Sequence, residues 1–303
     1  MTRGDKPRVF LKLIDKGEII MIKELNFTEI FVQRENDYSF CIELKKEIEK
    51  GQYTIFLQPK CNFNKNIQEA EALVRYIENE HIIGPDEFIP IFEKKKLISQ
   101  IDLFVFEKVC QLLHQWKQNH FHIIPISFNF SRQTLDKSNL IFEMEIIRQK
   151  YDISPNFLII EITETSQLQN TDKEKQIIEE LKQIGYSLSL DDFGVDYSNL
   201  KSFIEYPFSS IKIDKGLVDI VETNWKDQVV MENIIDVCHQ LKKKVVVEGV
   251  ENQKQYDFFK EKNCDLVQGY YIDHPLSIEA FEKKYMLTYT RRKQNVKERD
   301  DEV

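Results

Sequence analysis

The stretch from Phe157 to Phe193 reads FLIIEITETSQLQNTDKEKQIIEELKQIGYSLSLDDF, and it decides the fold class. It begins and ends with short, largely apolar runs, Phe157 to Thr165 and Ser187 to Phe193, which predict two strands. Between them, apolar residues recur three or four positions apart from Lys173 to Ile184, which predicts an amphipathic helix. A strand, a helix and a strand in this order are typical of a βα repeat around a parallel sheet.

The same unit repeats along most of the chain. The predicted strands are Tyr53 to Gln58, Glu69 to Tyr76, Ile124 to Ser131, Phe157 to Thr165, Ser187 to Phe193, Ser209 to Asp214, Lys244 to Glu251 and Leu266 to Ile272. Helical periodicity also appears in Leu103 to Trp116 and in Val229 to Leu241, and Ile42 to Lys50 is typical of a lead-in helix. Eight strands with intervening helices favour a TIM-like (β/α)8 barrel over an open sheet.

The composition indicates a globular protein with a sizeable core, since 42% of the 303 residues are apolar and 31% are charged. A formal net charge of -9 repels a nucleic-acid backbone, so we expect no polymeric nucleic-acid partner. No stretch approaches the about 20 apolar residues that span a bilayer. The five cysteines are scattered without CxxC spacing, and their odd number suits a reducing compartment better than a disulfide framework. We therefore expect a cytoplasmic protein without membrane insertion.

Polar and charged residues fall where the apolar runs stop. They are Glu71 with Arg75, Asn129, Glu161 with Glu164, Asp191 with Asp192, Lys212 with Asp214, Glu248 with Glu251, and Gln268. Because the carboxyl ends of barrel strands converge on one face, these residues are predicted to meet around one site. Several carboxylates brought together raise one another's pKa and require cations. Carboxylate and amide oxygens favour a hard ion such as Mg²⁺ or Mn²⁺ over zinc.

Nine short strings occur in one order at barrel spacing. They are LQP at Leu57 to Pro59, EALVR at Glu71 to Arg75, FIPIFE at Phe88 to Glu93, FNFS at Phe128 to Ser131, EITE at Glu161 to Glu164, DDFG at Asp191 to Gly194, KID at Lys212 to Asp214, EGVE at Glu248 to Glu251 and QGYY at Gln268 to Tyr271. This series resembles the successive motifs of the EAL family from about residue 40 to residue 285. A lone EAL tripeptide carries no weight, whereas the ordered set is specific.

The resemblance implies an EAL-type barrel with one antiparallel strand and two bound ions, Mg²⁺ or Mn²⁺. It also implies two-metal hydrolysis of cyclic di-GMP to linear 5'-pGpG, which lowers a messenger that controls bacterial motility and biofilm. The implied metal ligands are Glu71, Asn129, Glu161, Asp191, Asp192 and Glu248, with Asp191 as the bridge. The implied catalytic residues are Lys212, which orients or deprotonates the attacking water, with Glu248 and Gln268. A homodimer is the expected assembly.

Substrate contacts are less strongly specified than the metal ligands. Arg75 offers a planar donor fork for a phosphate oxygen or a guanine edge. The further residues expected to line the nucleotide slot are Gln58, Leu73, Asp214, Glu251 and Pro275. Glu164 resembles the family residue that supports the loop after the DDFG strand. Lys212 lies between two isoleucines, so its side chain points into the barrel if the isoleucines face the helices.

Other interpretations of these residues stay open. Taken singly, Glu161 and Glu164 are compatible with surface carboxylates. Asp191 and Asp192 are compatible with a turn. Asn129 and Gln268 are compatible with amides that satisfy backbone groups in the core. The second function is a catalytically weak or inactive cyclic di-GMP receptor or protein adaptor. The third is an unrelated barrel lyase with Lys212 as a Schiff-base amine, which leaves the carboxylates without a role.

The predicted organisation is an N-terminal extension at 1–38, the EAL domain at 39–288 and a charged tail at 289–303. One departure from the family pattern lies directly after DDFG. There the chain has Val195 and Asp196, where the family usually has Thr and Gly. Replacing a glycine by Asp restricts the backbone wherever a positive φ is needed. We therefore expect the loop after DDFG to affect rate and binding of the second metal.

Overall fold

A computed structural model describes residues 9–14, 18–23, 44–163, 172–193, 203–222 and 224–286. Glu164, Val195 and Asp196 lie outside these residues, so their predicted roles stay predictions. The chain divides into two compact units. One comprises Met1–Tyr53 with Tyr76–Leu97, and the other Thr54–Arg75 with Ile98–Val303.

Strands and helices alternate along most of the described sequence. The strands are β1 (Val9–Ile14), β2 (Glu18–Lys23), β3 (Tyr53–Cys61), β4 (Ile67–Glu78), β5 (His81–Ile83), β6 (Ile126–Phe130), β7 (Leu158–Thr163), β8 (Ser187–Phe193), β9 (Ser210–Ile213), β10 (Lys244–Val247), β11 (Leu266–Val267) and β12 (Leu276–Ser277). The helices are α1 (44–49), α2 (Pro85–Lys94), α3 (Ile98–Gln118), α4 (Arg132–Leu135), α5 (Leu140–Lys150), α6 (Asp172–Ile184), α7 (Lys215–Ile220), α8 (Trp225–Gln240), α9 (Gln253–Glu261) and α10 (Ile278–Phe281). Short 3-10 and π turns cover Pro155–Phe157 and Glu282–Met286, and residues 203–205 are also helical.

The larger unit contains a closed barrel of eight strands. Around the ring the order is β3, β11, β10, β9, β8, β7, β6 and β4, and β4 pairs again with β3. Neighbours from β4 round to β11 are parallel. In contrast, β3 runs antiparallel to β11, where Cys61 lies opposite Val267. The predicted TIM-like (β/α)8 barrel with one antiparallel strand is therefore confirmed.

Helices cover the barrel with aromatic and aliphatic side chains. The ring of Phe106 on α3 lies 5.4 Å from that of Phe128 and 6.3 Å from that of Phe130, both on β6. All three side chains are buried, so removing their apolar area from water stabilises this layer. Farther along the chain, Trp116 stacks on Phe281 with ring centroids 6.1 Å apart.

The predicted strand bounds agree with the structure at β8 and extend too far at β10 and β11. The range predicted for β8 is the observed one, Ser187–Phe193. The runs predicted to continue past β10 and β11 leave the sheet at Val247 and Val267. Gly249 and Gly269, with φ of 66° and 150°, turn the chain there.

Among the residues described in the smaller unit, two antiparallel pairings accompany α1 and α2. β1 and β2 form an antiparallel hairpin in which Val9 lies opposite Lys23. In addition, β5 pairs antiparallel with the last residues of β4, where Tyr76 lies opposite Ile83. Tyr76 also packs on Tyr53, with ring centroids 4.8 Å apart. In the described ranges, no helix has both the length and the apolar character that a membrane crossing requires.

Candidate functional site

Every strand of the barrel contributes a polar side chain to one internal cluster. The contributors are Gln58 and Lys60 on β3, Glu71 on β4, Asn129 on β6, Glu161 on β7, Asp191 on β8, Lys212 on β9, Glu248 just past β10 and Gln268 just past β11. Their proximity follows from the parallel strand arrangement, because neighbouring strands place matching positions side by side. Asn129, for example, lies directly opposite Glu161 in the pairing of β6 with β7.

Lys212 lies at the centre of this cluster. Its side chain is only 1% exposed, and its flanking isoleucines, Ile211 and Ile213, are buried on the other face of β9. The ammonium group therefore points into the barrel. Its Nζ atom lies 2.7 Å from Glu161 Oε2, 2.7 Å from Glu248 Oε1, 3.0 Å from Asp191 Oδ1 and 3.6 Å from Glu71 Oε2.

A chain of amide contacts holds Glu71. Asn129 Nδ2 donates to Glu71 Oε1 at 3.1 Å, and Gln268 Nε2 donates to Glu71 Oε2 at 2.7 Å. The same Gln268 nitrogen donates to Gln58 Oε1 at 2.9 Å. Both carboxylate oxygens of Glu71 thus have a donor, which fixes the orientation of the carboxylate.

A β-bulge sets the direction of the two adjacent aspartates. In a regular strand Asp191 and Asp192 would point to opposite faces. The register of β8 with β9 shifts between Leu190 and Phe193, and Asp192 has φ of 55°. The Asp192 backbone N–H donates to Asp191 Oδ1 at 2.9 Å. The bulge therefore lets two consecutive carboxylates approach the same cluster.

The carboxylates differ in their electrostatic surroundings. Burial alone raises the pKa of Glu161, but the ammonium groups of Lys212 and Lys60 outweigh it and lower that pKa to about 2. Burial and neighbouring carboxylates instead raise the pKa of Glu71 and of Glu248. The same two causes raise the pKa of Asp192 to about 6. Negative charge therefore exceeds what the two lysines neutralise.

Lys60 is the residue that sequence reasoning missed. Its side chain is 1% exposed, and its Nζ lies 2.5 Å from Glu161 Oε1 and 2.8 Å from Ser127 Oγ. One signal is present in the sequence, because Gln58, two positions earlier, is predicted to line the nucleotide slot. Residues two apart on a strand share a face, so the same prediction puts Lys60 inside the barrel.

The predicted substrate residues have varied partners of their own. Arg75 stacks on Phe56, with Cζ 5.5 Å from the ring centroid, and its Nη1 donates to Val74 O at 2.8 Å. Leu73 and Pro275 are half-buried. Two further predicted residues, Asp214 and Glu251, contact partners outside the cluster. The Asp214 carboxylate accepts from Gly216 N at 2.7 Å, and Glu251 pairs with Lys215 on the surface.

The cluster has the chemistry of a hard-metal site. In the described part of the chain, no three acidic, histidine or cysteine side chains are arranged to hold a metal ion as they stand. The Lys212 ammonium lies between the carboxylates instead. Asn129 Oδ1 and Gln268 Oε1 are buried and accept no hydrogen bond from the described residues. Surplus carboxylates and unsatisfied amide oxygens fit ions that prefer oxygen ligands.

The sequence profile of the EAL domain family matches residues 42–275. The chain belongs to the EAL domain family. The matched EAL range contains every residue of the barrel cluster described above, from Gln58 to Gln268.

Two curated proteins and one solved structure are similar to this chain. The cyclic di-GMP phosphodiesterase NbdA of Pseudomonas aeruginosa is 30% identical over 80% of this chain and 31% of its own length. The signaling protein YkoW of Bacillus subtilis is 30% identical over 79% of this chain and 30% of its own length. The solved structure of the PaMucR phosphodiesterase in complex with c-di-GMP superposes on this chain with a TM-score of 0.74 and 28% sequence identity. The match covers 80% of this chain and 99% of that one. The chain thus spans about a third of the length of the curated relatives it matches.

Proposed function

We propose that this protein hydrolyses cyclic di-GMP to linear 5'-pGpG with two divalent ions, Mg²⁺ or Mn²⁺. One observation carries the proposal, namely the convergence of oxygen ligands from separate strands around the buried Lys212. The similar NbdA protein is named a cyclic di-GMP phosphodiesterase, and the similar PaMucR structure holds c-di-GMP. On this proposal the protein lowers the messenger that controls motility and biofilm.

The oxygen donors of the cluster are suited to the two ions. We assign the ligands to Glu71, Asn129, Glu161, Asp191, Asp192 and Glu248, with Asp191 shared. Bound divalent ions supply Lewis acidity, which activates water and offsets charge on the phosphodiester. The unsatisfied Asn129 Oδ1 supports this assignment. So does the repulsion between carboxylates that, together with burial, raises the pKa of Glu71 and of Glu248, because a bound cation relieves that repulsion.

Lys212 and Gln268 act on the attacking water in this proposal. Burial lowers the pKa of Lys212, but Asp191, Glu161 and Glu248 outweigh it and raise that pKa well above its usual value. As long as these carboxylates surround it, Lys212 is a charged donor, which suits orientation of a water better than proton abstraction. Gln268 has a buried carbonyl oxygen ready to accept from that water.

The nucleotide is expected to lie over the cluster. Arg75 presents its guanidinium at a phosphate oxygen or a guanine edge, supported by the Phe56 ring. The other proposed contacts are Gln58, Leu73, Asp214, Glu251 and Pro275. Glu251 must exchange its pairing with Lys215 for a guanine donor, whereas Gln58 is already inside the barrel. The cytoplasmic location, the homodimer and the boundaries at 38 and 288 stay predictions.

The test is chromatographic detection of pGpG after incubation with cyclic di-GMP and Mg²⁺ or Mn²⁺. We compare the wild type, Glu71→Ala and Glu261→Ala, because Glu261 is an exposed acid on α9. We expect metal-dependent product from the wild type and Glu261→Ala only. Nucleotide binding without product in the wild type would contradict the hydrolase and favour the receptor function.

A further inference from the structure

Lys60 is a buried cation without a role in the proposed chemistry. It lies on β3, the one antiparallel strand of the barrel, between Pro59 and Cys61. Its ammonium lies 2.8 Å from Ser127 Oγ and 2.5 Å from Glu161 Oε1. Burying a charge is costly unless it is paired and hydrogen-bonded, so these two contacts account for its presence inside the barrel.

Each of the two buried lysines contacts a different oxygen of the Glu161 carboxylate. Lys60 contacts Oε1, whereas Lys212 contacts Oε2. Lys60 is in turn anchored through Ser127, whose hydroxyl donates to the Ala70 carbonyl oxygen at 3.4 Å. In the part of the chain that the structure describes, the Lys212 ammonium contacts carboxylates alone and has no such anchor on the barrel wall. Oε2 therefore faces Lys212, the ammonium that also contacts Glu71, Asp191 and Glu248.

We propose that Lys60 is a positioning residue that holds Glu161 Oε1, so that Glu161 offers a metal ion Oε2 alone. This inference rests on the proposed metal-dependent function. Side chains that orient ligands in this way typically contribute about 10- to 100-fold to metal affinity. Ser127 extends the same arrangement, because it orients the Lys60 ammonium from the neighbouring strand β6.

The direction in which metal affinity changes when Lys60 is removed distinguishes a positioning role from simple charge balance. If Lys60 only neutralised the acidic cluster, its removal would leave the site more negative and metal would bind more tightly. If Lys60 holds Glu161 in place, its removal frees the carboxylate to rotate and metal binds more weakly. Replacing Ser127 by Ala changes no charge, so it weakens metal binding only in the second case.

The experiment measures Mn²⁺ affinity of the full chain by the electron paramagnetic resonance signal of free Mn²⁺. It compares the wild type, Lys60→Met, Ser127→Ala and Lys117→Met, whose lysine forms an exposed pair with Asp152 at 2.6 Å. We expect Lys60→Met to weaken binding by about 10-fold or more, Ser127→Ala by a smaller factor, and Lys117→Met to match the wild type. Circular dichroism verifies that each variant is folded.

Three outcomes would overturn the inference. Unchanged or tighter binding by Lys60→Met would assign Lys60 to charge balance. If Lys60→Met fails to fold, an unchanged Mn²⁺ affinity of Ser127→Ala is sufficient to overturn the positioning role of Lys60. A wild type that binds no Mn²⁺ would remove the proposed metal site and this inference with it, whereas wild-type binding with unaltered variants leaves the proposed function intact.

Discussion

At the residue scale, the turn after β11 depends on Gly269. Its φ is 150°, and a Cβ atom there would lie 2.3 Å from both the backbone N and O of Val250. That separation is far below van der Waals contact, and the obstacle is backbone rather than a flexible side chain. Gly269 directly follows Gln268, whose amide holds Glu71. The conformation of one glycine therefore affects the position of a predicted catalytic residue.

We predict that Gly269→Ala lowers the free energy of unfolding by more than about 2 kcal/mol, since the backbone must move to relieve the overlap. Urea denaturation measures the change. Gly84→Ala is the matched control, because nothing lies within 4 Å of a Cβ there and its φ of -76° is ordinary. We expect the control to cost less than about 1 kcal/mol. Equal losses in the two variants would contradict the argument.

At the element scale, side-chain contacts join helices to the strands that carry the site. Asp102 on α3 accepts from Ser131 N at 2.8 Å and Thr134 Oγ1 at 2.5 Å, where α4 begins just after β6. Glu145 on α5 likewise accepts from the Tyr186 hydroxyl at 2.8 Å, immediately before β8. These bonds fix the elements next to Asn129 and Asp191.

We predict that the contribution of Glu145 to stability depends on pH. The Arg148 guanidinium, with help from Tyr186, holds the pKa of Glu145 below its usual value. Because the folded pKa is lowered, the contribution is present above the unfolded pKa and is lost as pH falls through the folded pKa. Glu145→Gln should therefore lower the unfolding free energy by about 1 kcal/mol at pH 7, and by less near pH 3.

Urea denaturation at both pH values tests this dependence. Glu261→Gln serves as control, because Glu261 is an exposed acid near the end of α9. A loss from Glu145→Gln that is the same at both pH values would show that shape, rather than charge, determines its contribution.

At the scale of the whole molecule, the candidate site is built from side chains of every strand of the barrel. Each strand of the ring supplies a side chain to the cluster, so a ligand held there joins strands that are distant in sequence. Ligands that bind only the folded state stabilise it by mass action. Metal binding is therefore expected to stabilise the barrel as a unit.

We predict that Mn²⁺ at 100 times its dissociation constant raises the free energy of unfolding by about 2.7 kcal/mol for each site it fills, relative to chelated protein. Calorimetry or thermal denaturation with and without Mn²⁺ measures the effect. Glu71→Ala removes a proposed ligand and should reduce the shift, whereas Glu261→Ala should retain it. A shift of the same size in Glu71→Ala would indicate that Mn²⁺ binds elsewhere.

Local pattern was sufficient for the element types and for most members of the cluster. Apolar periodicity separates strands from helices over a few residues, so β8 and the helix α6 were predicted with bounds within one residue. The order of the motifs then placed Glu71, Glu161, Asp191 and their companions on strands that a barrel closes into a ring. This inference needs only the regular geometry of parallel strands.

Which side chains contact one another follows from the closed barrel and not from local sequence. Lys60 and Glu161 are 101 positions apart, and nothing local to either residue indicates that they pair. The bulge at Asp192 and the early ends of β10 and β11 depend likewise on backbone contacts with neighbouring strands. The sequence thus indicated the fold class through short-range patterns, and the family and the candidate ligands through the resemblance of an ordered series of motifs. The ion pairs at the centre required the closed barrel, because they join strands across it.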